Sequence, residues 1–383
     1  MLLSRRNFLR TLGTGAALGA VAPPSTASLA LGAMFEPPRQ SEPGGPIRLN
    51  SNENPYGPSE KARAVLQGDL PMANRYPYAQ YDGLVNRIAA FHRVKPQQVL
   101  LGCGSSEILR VAAAGFLSPG QQALVASPTF EALEAYARSL GAETVQVPLN
   151  GEFAHDLDTM LARATAATGL VYICNPNNPT ASLTPRKDLE TFLTKLPAST
   201  YVLMDEAYHH FAGQSPVYTS FLERPVENER MIVTRTFSKV YGLAGMRLGY
   251  AVAAPKVIEQ MRQFATWDSV NALVVRTAMA ALDDVESVQS FIQRNADVRQ
   301  EFFKQAATRQ LKPIDSQANF IMMNAHRPAG EIIEHFRRHN ILIGRRFPAM
   351  NTYVRVSLGR PEEMKAFWGV WDLMPQGTVK IGG

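Results

Sequence analysis

The strongest constraint on the fold is an alternation, from about residue 75 onward, of short apolar runs with stretches of helical pattern. The runs predict strands at Gln98–Leu101, Ala123–Ala126, Thr144–Val147, Leu170–Cys174, Tyr201–Met204, Met231–Thr234 and Leu248–Val252. Helices are predicted to intervene, for example Glu107–Phe116, Glu131–Leu140 and Arg186–Leu196. Several runs are almost continuously apolar, which is typical of strands covered on both faces. The alternation therefore predicts an α/β fold with an open sheet layered between helices.

The 383 residues divide into four predicted segments. Residues 1–33 form a leader, 34–74 an arm that joins the small domain, 75–270 a large domain and 271–383 a C-terminal small domain. Within the arm, Ser59 is the predicted N-cap of a short helix, Ser59–Leu66. Long helical patterns cover Ala254–Ala281 and Val285–Gln310, and a smaller α+β unit follows them and ends near Leu373.

The leader carries Arg5 and Arg6 ahead of an uncharged stretch, 11–33, that is rich in Ala, Gly and Leu. This pattern predicts a twin-arginine export signal with a small-residue cleavage site that ends at Ala22, Ala30 or Ala33. Glycines and Pro23-Pro24 interrupt the apolar stretch, so stable insertion in a membrane is not expected. We predict a periplasmic protein, with a cytoplasmic N-terminus as the alternative.

Charge and cysteine content exclude some classes of protein. The formal net charge is +6, but three of the basic residues are arginines of the leader. Because the rest of the chain has no long basic run, no nucleic-acid partner is expected. Two cysteines, Cys103 and Cys174, exclude a framework of several disulfides. A single bridge between them stays open, and buried free thiols are favoured.

The segment that most directly indicates a reaction is Thr236-Phe237-Ser238-Lys239, which follows an apolar strand. A lysine is rarely buried without a function. Thr236 precedes Lys239 by three residues, and Arg247 follows it by eight. A hydroxyl, an amine and a guanidinium that converge on one turn can bind a phosphate group. The alternative is an ordinary solvated lysine beside glycines.

Three further segments lie at predicted strand ends, where α/β folds bind ligands. Asp205 follows one strand, and a buried carboxylate needs a cationic partner or strong hydrogen bonds. The turn 175–180 follows another strand and can direct an asparagine amide at a ligand oxygen. Gly104-Ser105-Ser106 joins a strand to a helix, whose first N–H groups can bind phosphate. Taken singly, each turn is also compatible with a purely structural role.

In this order, the four segments resemble the class I/II aminotransferases of the pyridoxal 5′-phosphate (PLP)-dependent transferase fold type I. The resemblance is strongest to the histidinol-phosphate aminotransferase family, and it includes Leu49–Gly57, Arg75-Tyr76-Pro77 and Tyr353–Gly359. It covers nearly all of the chain after the leader. It implies a mainly parallel seven-stranded sheet in a large three-layer domain, a smaller α+β domain, and PLP as the cofactor.

The resemblance also implies the roles of five residues around the cofactor ring. Lys239 forms the Schiff base and shuttles the proton of the reaction. Asp205 pairs with the ring nitrogen, so that the ring acts as an electron sink. Asn178 and Tyr208 bind the phenolic oxygen, and Phe130 stacks on the ring.

Other roles that the resemblance implies concern the phosphate, the partner subunit and the substrate. The cofactor phosphate is bound by Ser105, Ser106, Thr236 and Arg247. Tyr76 matches a tyrosine that reaches the phosphate of the neighbouring subunit, which implies a homodimer with shared active sites. Arg355 matches the arginine that binds the substrate carboxylate bidentately, and a surface-strand arginine is the alternative there. Tyr56 and Asn178 complete the predicted substrate site.

Some positions depart from the family pattern. Ala181 stands where a glycine usually follows Asn-Pro-Thr, and Tyr78 stands where an aspartate usually follows Arg-Tyr-Pro. The family places a second substrate arginine near 343–348, and the sequence leaves open whether Arg345 or Arg346 faces the site. These departures lie around the substrate pocket and leave the cofactor residues intact.

The function implied is transfer of an amino group between an L-amino acid or amino-alcohol phosphate and a 2-oxo acid. A decarboxylase or cyclase of the same fold is the first alternative. A catalytically silent PLP-binding protein or transcriptional regulator is the second alternative. Asp205, Glu206, His209 and His210 are types that can bind zinc, but adjacent histidines generally point in different directions, and no metal is expected.

Overall fold

A sheet of seven strands forms the centre of the protein, and this computed structural model describes residues 45–223 and 228–375. The described strands are β1 Ile47–Leu49, β2 Val99–Cys103, β3 Gln122–Ser127, β4 Glu143–Pro148, β5 Thr168–Cys174, β6 Tyr201–Asp205, β7 Met231–Thr236, β8 Leu248–Ala253, β9 Lys312–Pro313, β10 Phe320–Asn324, β11 Ile341–Ile343 and β12 Tyr353–Ser357. The central sheet has the order β2-β8-β7-β6-β5-β3-β4. β8 runs antiparallel to both of its neighbours, and the other pairs are parallel, so the sheet is mainly parallel as predicted.

Helices cover both faces of this sheet. They are α1 Glu60–Asp69, α2 Tyr78–His92, α3 Ser105–Phe116, α4 Ala132–Ser139, α5 Leu157–Arg163, α6 Arg186–Lys195, α7 His209–Ala212, α8 Pro255–Arg262, α9 Ala272–Asp283, α10 Val285–Thr308, α11 Ala329–Arg338 and α12 Pro361–Asp372. Successive strand side chains point to opposite faces. Val171 of β5 therefore joins a core with α2 and α9, whereas Tyr172 joins a second core with α3 and α8. The result is the predicted arrangement of three layers.

The strand predictions are confirmed, and their ends differ from the observed ones by no more than two residues. Ser59 is confirmed as an N-cap, since its hydroxyl accepts the N–H of Ala62 at 3.3 Å. A continuous helical region over Ala254–Ala281 is wrong. It consists of α8 and α9, because Asn271 caps a new helix through the N–H of Val274 at 3.0 Å. The sequence analysis also missed α2.

The C-terminal part builds two smaller sheets. β10 pairs antiparallel with β9 and β12, and β1 from the arm pairs parallel with β11. Their apolar side chains share one core with α10, α11 and α12, in which Phe336 and Phe367 stack at 4.7 Å. This is the predicted α+β unit. Because the chain from Pro46 onward groups as one compact unit, the boundary at residue 270 stays a prediction.

The leader, 1–33, lies outside the described residues, as does the first part of the arm. Within 45–223 and 228–375, no helix combines the length and the apolar character that crossing a membrane requires.

Candidate active site

The predicted site residues follow three adjacent parallel strands. In the register of the sheet, Cys174 of β5 lies opposite Asp205 of β6, and Asp205 lies opposite Thr234 of β7. The chain then continues from β5 to Asn178 and from β7 to Lys239. Because neighbouring parallel strands end at the same edge of a sheet, these segments meet there.

Lys239 lies at this edge and is partly buried. Its amine donates to the backbone carbonyl of Asn52 at 3.2 Å and lies 5.4 Å from the centre of the Tyr208 ring. Burial is the main cause that lowers the pKa of Lys239 to about 8, and the positive charge of Arg355 lowers it further. A large fraction of this amine is therefore neutral near pH 8, which is the form that attacks a carbonyl carbon.

Asp205 is 3% exposed and has only neutral hydrogen-bond donors among its recorded partners in the described chain. These are the hydroxyl of Tyr172 at 2.8 Å and the N–H of Ala207 at 3.1 Å. Burial raises the pKa of Asp205 to about 6, although both hydrogen bonds act in the opposite direction. Such a carboxylate gains most from a cationic ligand group.

Tyr208 lies beside Lys239 and is almost fully buried. Its hydroxyl oxygen accepts a hydrogen bond from Nδ2 of Asn52 at 3.0 Å, and its ring meets the edge of Phe320 at 5.1 Å between centres. Burial raises the pKa of Tyr208. The phenol therefore stays protonated at neutral pH and can donate a hydrogen bond.

A built anion site lies where α3 begins. Ser105 and Ser106 are the first residues of this helix, so their N–H groups are free of intrahelical acceptors. A Cβ on Gly104 would lie 2.2 Å from Nη2 of Arg247, and one on Gly249 would lie 2.2 Å from the Ser105 nitrogen. These two glycines therefore let the helix start, β8 and the guanidinium approach one another closely.

Thr236 and Ser238 connect this anion site to the lysine turn. The hydroxyl of Thr236 accepts the N–H of Ser238 at 3.1 Å, and the hydroxyl of Ser238 accepts from Nη1 of Arg247 at 3.3 Å. The same Nη1 donates to the carbonyl of Ala244 at 3.0 Å. These contacts hold the Arg247 side chain beside the start of α3.

Arg355 of β12 reaches the same edge from the C-terminal part. It is 9% exposed, and it donates to Oδ1 of Asn178 at 2.7 Å and to the carbonyl of Asn50 at 2.9 Å. Its Nε is buried without a recorded hydrogen-bond partner. Burial is the main cause that lowers the pKa of Arg355 to about 10. The guanidinium is still charged at neutral pH, and it can bind an anion.

These residues fit PLP. An anion site at α3 suits the phosphate group, and a buried carboxylate without a recorded cationic hydrogen-bond partner suits the protonated ring nitrogen. A partly neutral amine, that of Lys239, lies at the same sheet edge, and a neutral amine is the form that condenses with an aldehyde. When it is bound, PLP supplies an electron sink for the carbanion at the substrate Cα.

For three predicted residues the recorded contacts are with other parts of the described chain. Phe130 is half-buried and packs against the core of α3 and α8. Tyr76 is 71% exposed and stacks on Tyr78 at 5.5 Å. Tyr56 lies against α10, with ring centres 5.4 Å from Phe291. Among the described residues, no contact of Lys239 with Tyr76 or Tyr56 is recorded, so their predicted roles stay predictions.

Arg345, and not Arg346, lies on the side of Arg355. Its guanidinium forms an ion pair with Glu131 and lies 4.4 Å from the centre of the Phe347 ring. The guanidinium of Arg355 lies 5.3 Å from the centre of the same ring. Arg346 packs against α11, since a Cβ on Gly330 would lie 3.5 Å from its Cδ. Tertiary contacts therefore decide between the two arginines, which the sequence leaves equivalent.

Ala181, the departure from the family glycine, has a φ of 61° and is fully buried. A left-handed residue other than glycine costs about 1–2 kcal/mol. Two backbone hydrogen bonds hold Ala181 in place, from its N–H to the carbonyl of Asn177 at 2.7 Å and from Gln317 at 2.8 Å.

The carboxylate next to Asp205 has a different environment. Glu206 pairs with Arg235 at 2.9 Å and accepts from the hydroxyl of Ser220 at 2.6 Å, all of them buried. His209 contacts the same guanidinium, and burial lowers its pKa. Within the described ranges, no group of three or more His, Cys, Asp or Glu side chains is arranged to hold a metal.

Both cysteines are free thiols, as favoured from the sequence. Cys174 is buried, and its thiol lies 3.4 Å from the carbonyl of Pro176. Cys103 is only partly buried, so the expectation that both thiols are buried is wrong for this residue.

Sequence reasoning missed Asn52 and Tyr172, and also Asn319, whose Nδ2 donates to the carbonyl of Asn52 at 3.1 Å. Asn52 lies in the motif Leu49–Gly57, but nothing in that motif indicates contact with Lys239 and Tyr208. Tyr172 looks like an ordinary strand residue, two positions before the strand end. Its polar hydroxyl in a buried apolar strand was the available signal, because a buried phenol needs a partner.

Comparison with known proteins agrees with this geometry. Residues 45–369 match the family described as aminotransferase class I and II. The chain is similar to a histidinol-phosphate aminotransferase of Symbiobacterium thermophilum, with 35% identity over 84% of this chain and 88% of that protein. A solved structure from Erwinia carotovora atroseptica covers 85% of this chain and 95% of its own, with a TM-score of 0.83 and 34% identity. The histidinol-phosphate aminotransferase of Sinorhizobium meliloti in complex with PLP covers 94% and 100%, with a TM-score of 0.81 at 23% identity.

Proposed function

The chain belongs to the aminotransferase class I and II family, and we propose that it transfers the amino group of an L-amino acid or amino-alcohol phosphate to a 2-oxo acid. It is a PLP-dependent aminotransferase of fold type I. The proposed substrate class is supported by the relatives, which are named histidinol-phosphate aminotransferases.

The observation that carries the assignment of roles is the opposite pKa shift of two groups at one sheet edge. Lys239 has its pKa lowered to about 8, and Asp205 has its pKa raised to about 6. Opposite shifts of this kind concentrate in active sites. Lys239 is the proposed attachment point and proton carrier, and Asp205 holds the proton on the ring nitrogen.

The remaining roles follow from which groups each residue offers. Tyr208 and Asn178 are proposed to hydrogen-bond the phenolic oxygen, and Arg355 to bind the substrate carboxylate through its guanidinium. Phosphate binding is proposed for Ser105, Ser106, Thr236 and Arg247.

A donor and acceptor screen tests the proposed reaction. Purified holoenzyme is mixed with single amino donors, among them glutamate and histidinol phosphate, and its visible absorbance is followed. Transfer should convert the coenzyme to its amine form and release a 2-oxo acid from glutamate or the corresponding keto phosphate from histidinol phosphate, and a Lys239→Ala variant should lose turnover. Release of carbon dioxide without a 2-oxo acid would instead indicate the decarboxylase alternative.

We also propose a homodimer with shared active sites, in which Tyr76 binds the phosphate of the partner subunit. Support comes from exposed apolar side chains around it, namely Leu70, Met72 and Tyr78. Lys239→Ala and Tyr76→Ala subunits, each weakly active, are mixed under exchange conditions. Hybrid dimers should regain activity, because one of their two sites keeps both native residues. Unchanged activity on mixing would contradict shared sites.

We further propose that the leader is a twin-arginine signal and that the protein is exported to the periplasm before the leader is removed; Arg5 and Arg6 ahead of the uncharged stretch 11–33 support this. Cell fractionation with the native leader should recover the enzyme outside the inner membrane. Replacement of Arg5 and Arg6 by lysine should keep it in the cytoplasm, and equal recovery from both fractions would contradict this route.

A further inference from the structure

Asn52 connects three parts of the candidate site, although neither the comparisons nor the predicted roles single it out. It is 2% exposed and has a φ of 52°, in the left-handed region that asparagine tolerates better than most residues. Its carbonyl accepts from the amine of Lys239 at 3.2 Å and from Nδ2 of Asn319 at 3.1 Å. Its amide side chain lies between Tyr208 and Ser357.

In the structure, the two ends of this amide face different partners, Oδ1 toward Ser357 and Nδ2 toward Tyr208. The hydroxyl of Ser357 accepts the backbone N–H of Asn52 at 2.8 Å. The proton of that hydroxyl can donate in turn, and it does so to Oδ1 of Asn52 at 3.1 Å. The other end of the amide, the NH₂ group, consequently points at the Tyr208 hydroxyl at 3.0 Å.

This orientation has a consequence for the Tyr208 proton. A phenol oxygen that accepts an N–H directs its own proton away from that donor. The proton is then available to a ligand oxygen in the site. A hydrogen bond from Tyr208 to the phenolic oxygen of the coenzyme stabilises negative charge there and lowers the proton affinity of the conjugated nitrogen.

We propose that Asn52 is a positioning residue that makes Tyr208 a hydrogen-bond donor toward the coenzyme and holds the Lys239 amine through its carbonyl. This inference rests on the proposed function, because it needs PLP in the site. Asn52 acts through Tyr208 and Lys239 and does not itself transfer a proton. Ser357 contributes to this positioning, because its hydroxyl orients the side-chain amide of Asn52.

The decisive variant is Asn52→Asp, which keeps the size and the left-handed preference but replaces the NH₂ group by an acceptor. Tyr208 should then donate to the new carboxylate and no longer to the coenzyme. The readout is the pH at which the visible absorbance of the bound coenzyme titrates in the holoenzyme. In Asn52→Asp this pKa should rise by about one unit or more, a tenfold gain in proton affinity.

A double-variant cycle separates positioning from the field of the new charge. If Asn52 acts through Tyr208, the Asn52→Asp shift should be much smaller in a Tyr208→Phe background. An equal shift in both backgrounds, or no shift in either, would overturn the inference. Ser357→Ala offers a second route, and it should shift the titration in the same direction by a smaller amount, because the amide is then free to turn.

Asn54→Ala is the matched control from the same loop. Asn54 donates to the carbonyl of Val240 at 2.9 Å and accepts from the Tyr56 N–H at 3.1 Å, so it anchors the loop without a recorded contact to Tyr208. Its absorbance titration should match that of the native holoenzyme. If Asn54→Ala shifted the pKa of the absorbance titration as much as Asn52→Asp does, Asn52 would act only as an anchor of the loop. A native protein that binds PLP without a visible absorbance band would instead overturn the proposed function.

Discussion

The two halves of the candidate site are built in different ways. The cofactor half consists of Asp205, Tyr208, Thr236 and Lys239, which follow two neighbouring parallel strands. The substrate half is centred on Arg355, which reaches Asn50 and Asn178 across 305 and 177 residues of chain. Sheet register therefore positions the first half, whereas docking of distant segments positions the second.

Because of this difference, substitutions in the two halves should have different effects on the chemistry and on the fold. In the cofactor half, the sheet holds the backbone whatever the side chain is, so an isosteric change should alter chemistry and leave the fold intact. In the substrate half, Arg355 both offers a guanidinium and ties together the segments that hold it, so a change should affect binding and packing together. The predictions below test this contrast.

The largest effect is expected for Asp205→Asn in the cofactor half. Loss of the charge that holds the ring nitrogen protonated should lower kcat by about 10²–10³-fold, as for removal of one preorganised electrostatic partner. The Tyr172 hydroxyl can still bond the new amide, so the fold should be retained. Steady-state kinetics with a working donor measure kcat, and circular dichroism checks the fold.

Although it should lower kcat, the same substitution should increase the stability of the coenzyme-free protein above the pKa of Asp205. In the coenzyme-free protein the pKa of Asp205 is raised from 3.8 to about 6. Between those pH values the folded state therefore binds more protons at Asp205 than the unfolded state does. The stabilisation that Asp205 contributes is present below pH 4 and is lost as the pH rises through 6. At pH 8, Asp205→Asn should be more stable than the native apoprotein by about 3 kcal/mol. Urea titrations at pH 4 and pH 8 check this, and a variant less stable at pH 8 would contradict it.

An intermediate effect is expected for Arg355→Lys in the substrate half. The charge remains, but a lysine cannot bind a carboxylate bidentately or reach both Asn50 and Asn178 in the same way. We expect kcat/KM to fall about 10–100-fold, mainly through KM. The absorbance of the bound coenzyme should not change, and a change there would show that the two halves are coupled.

The smallest effect is expected for Arg345→Gln. The Arg345–Glu131 pair is partly exposed, with 39% and 34% of the side chains accessible. Exposed pairs contribute about 0–1 kcal/mol, so stability should change by no more than that. KM for each amino donor is compared between Arg345→Gln and the native enzyme. A higher KM only for donors with a distal anion would assign Arg345 to the substrate half, and unchanged KM values for all donors would place it outside.

Much of the cofactor half could be predicted from the sequence. Strand periodicity and the placement of Asp205 and Lys239 just after apolar runs are local features, because strand ends in α/β folds meet at one edge. The break in helix between α8 and α9 was missed because both segments are good helix formers; residues 263–271 separate them and end in the cap at Asn271. Tyr172 was missed because the hydrogen bond to Asp205 crosses from one strand to its neighbour.

By itself, the sequence determined the layered α/β fold and the strand positions to within two residues, because these depend on local periodicity. The roles of the lysine and the carboxylate were predicted from motifs that resemble a known family. Only the tertiary structure decided that Arg345 and not Arg346 lies beside Arg355, that Tyr56 packs against α10, and that Asn52 contacts both Lys239 and Tyr208. Those contacts join segments far apart in the chain. Their geometry depends on how packed elements dock, which no local pattern encodes.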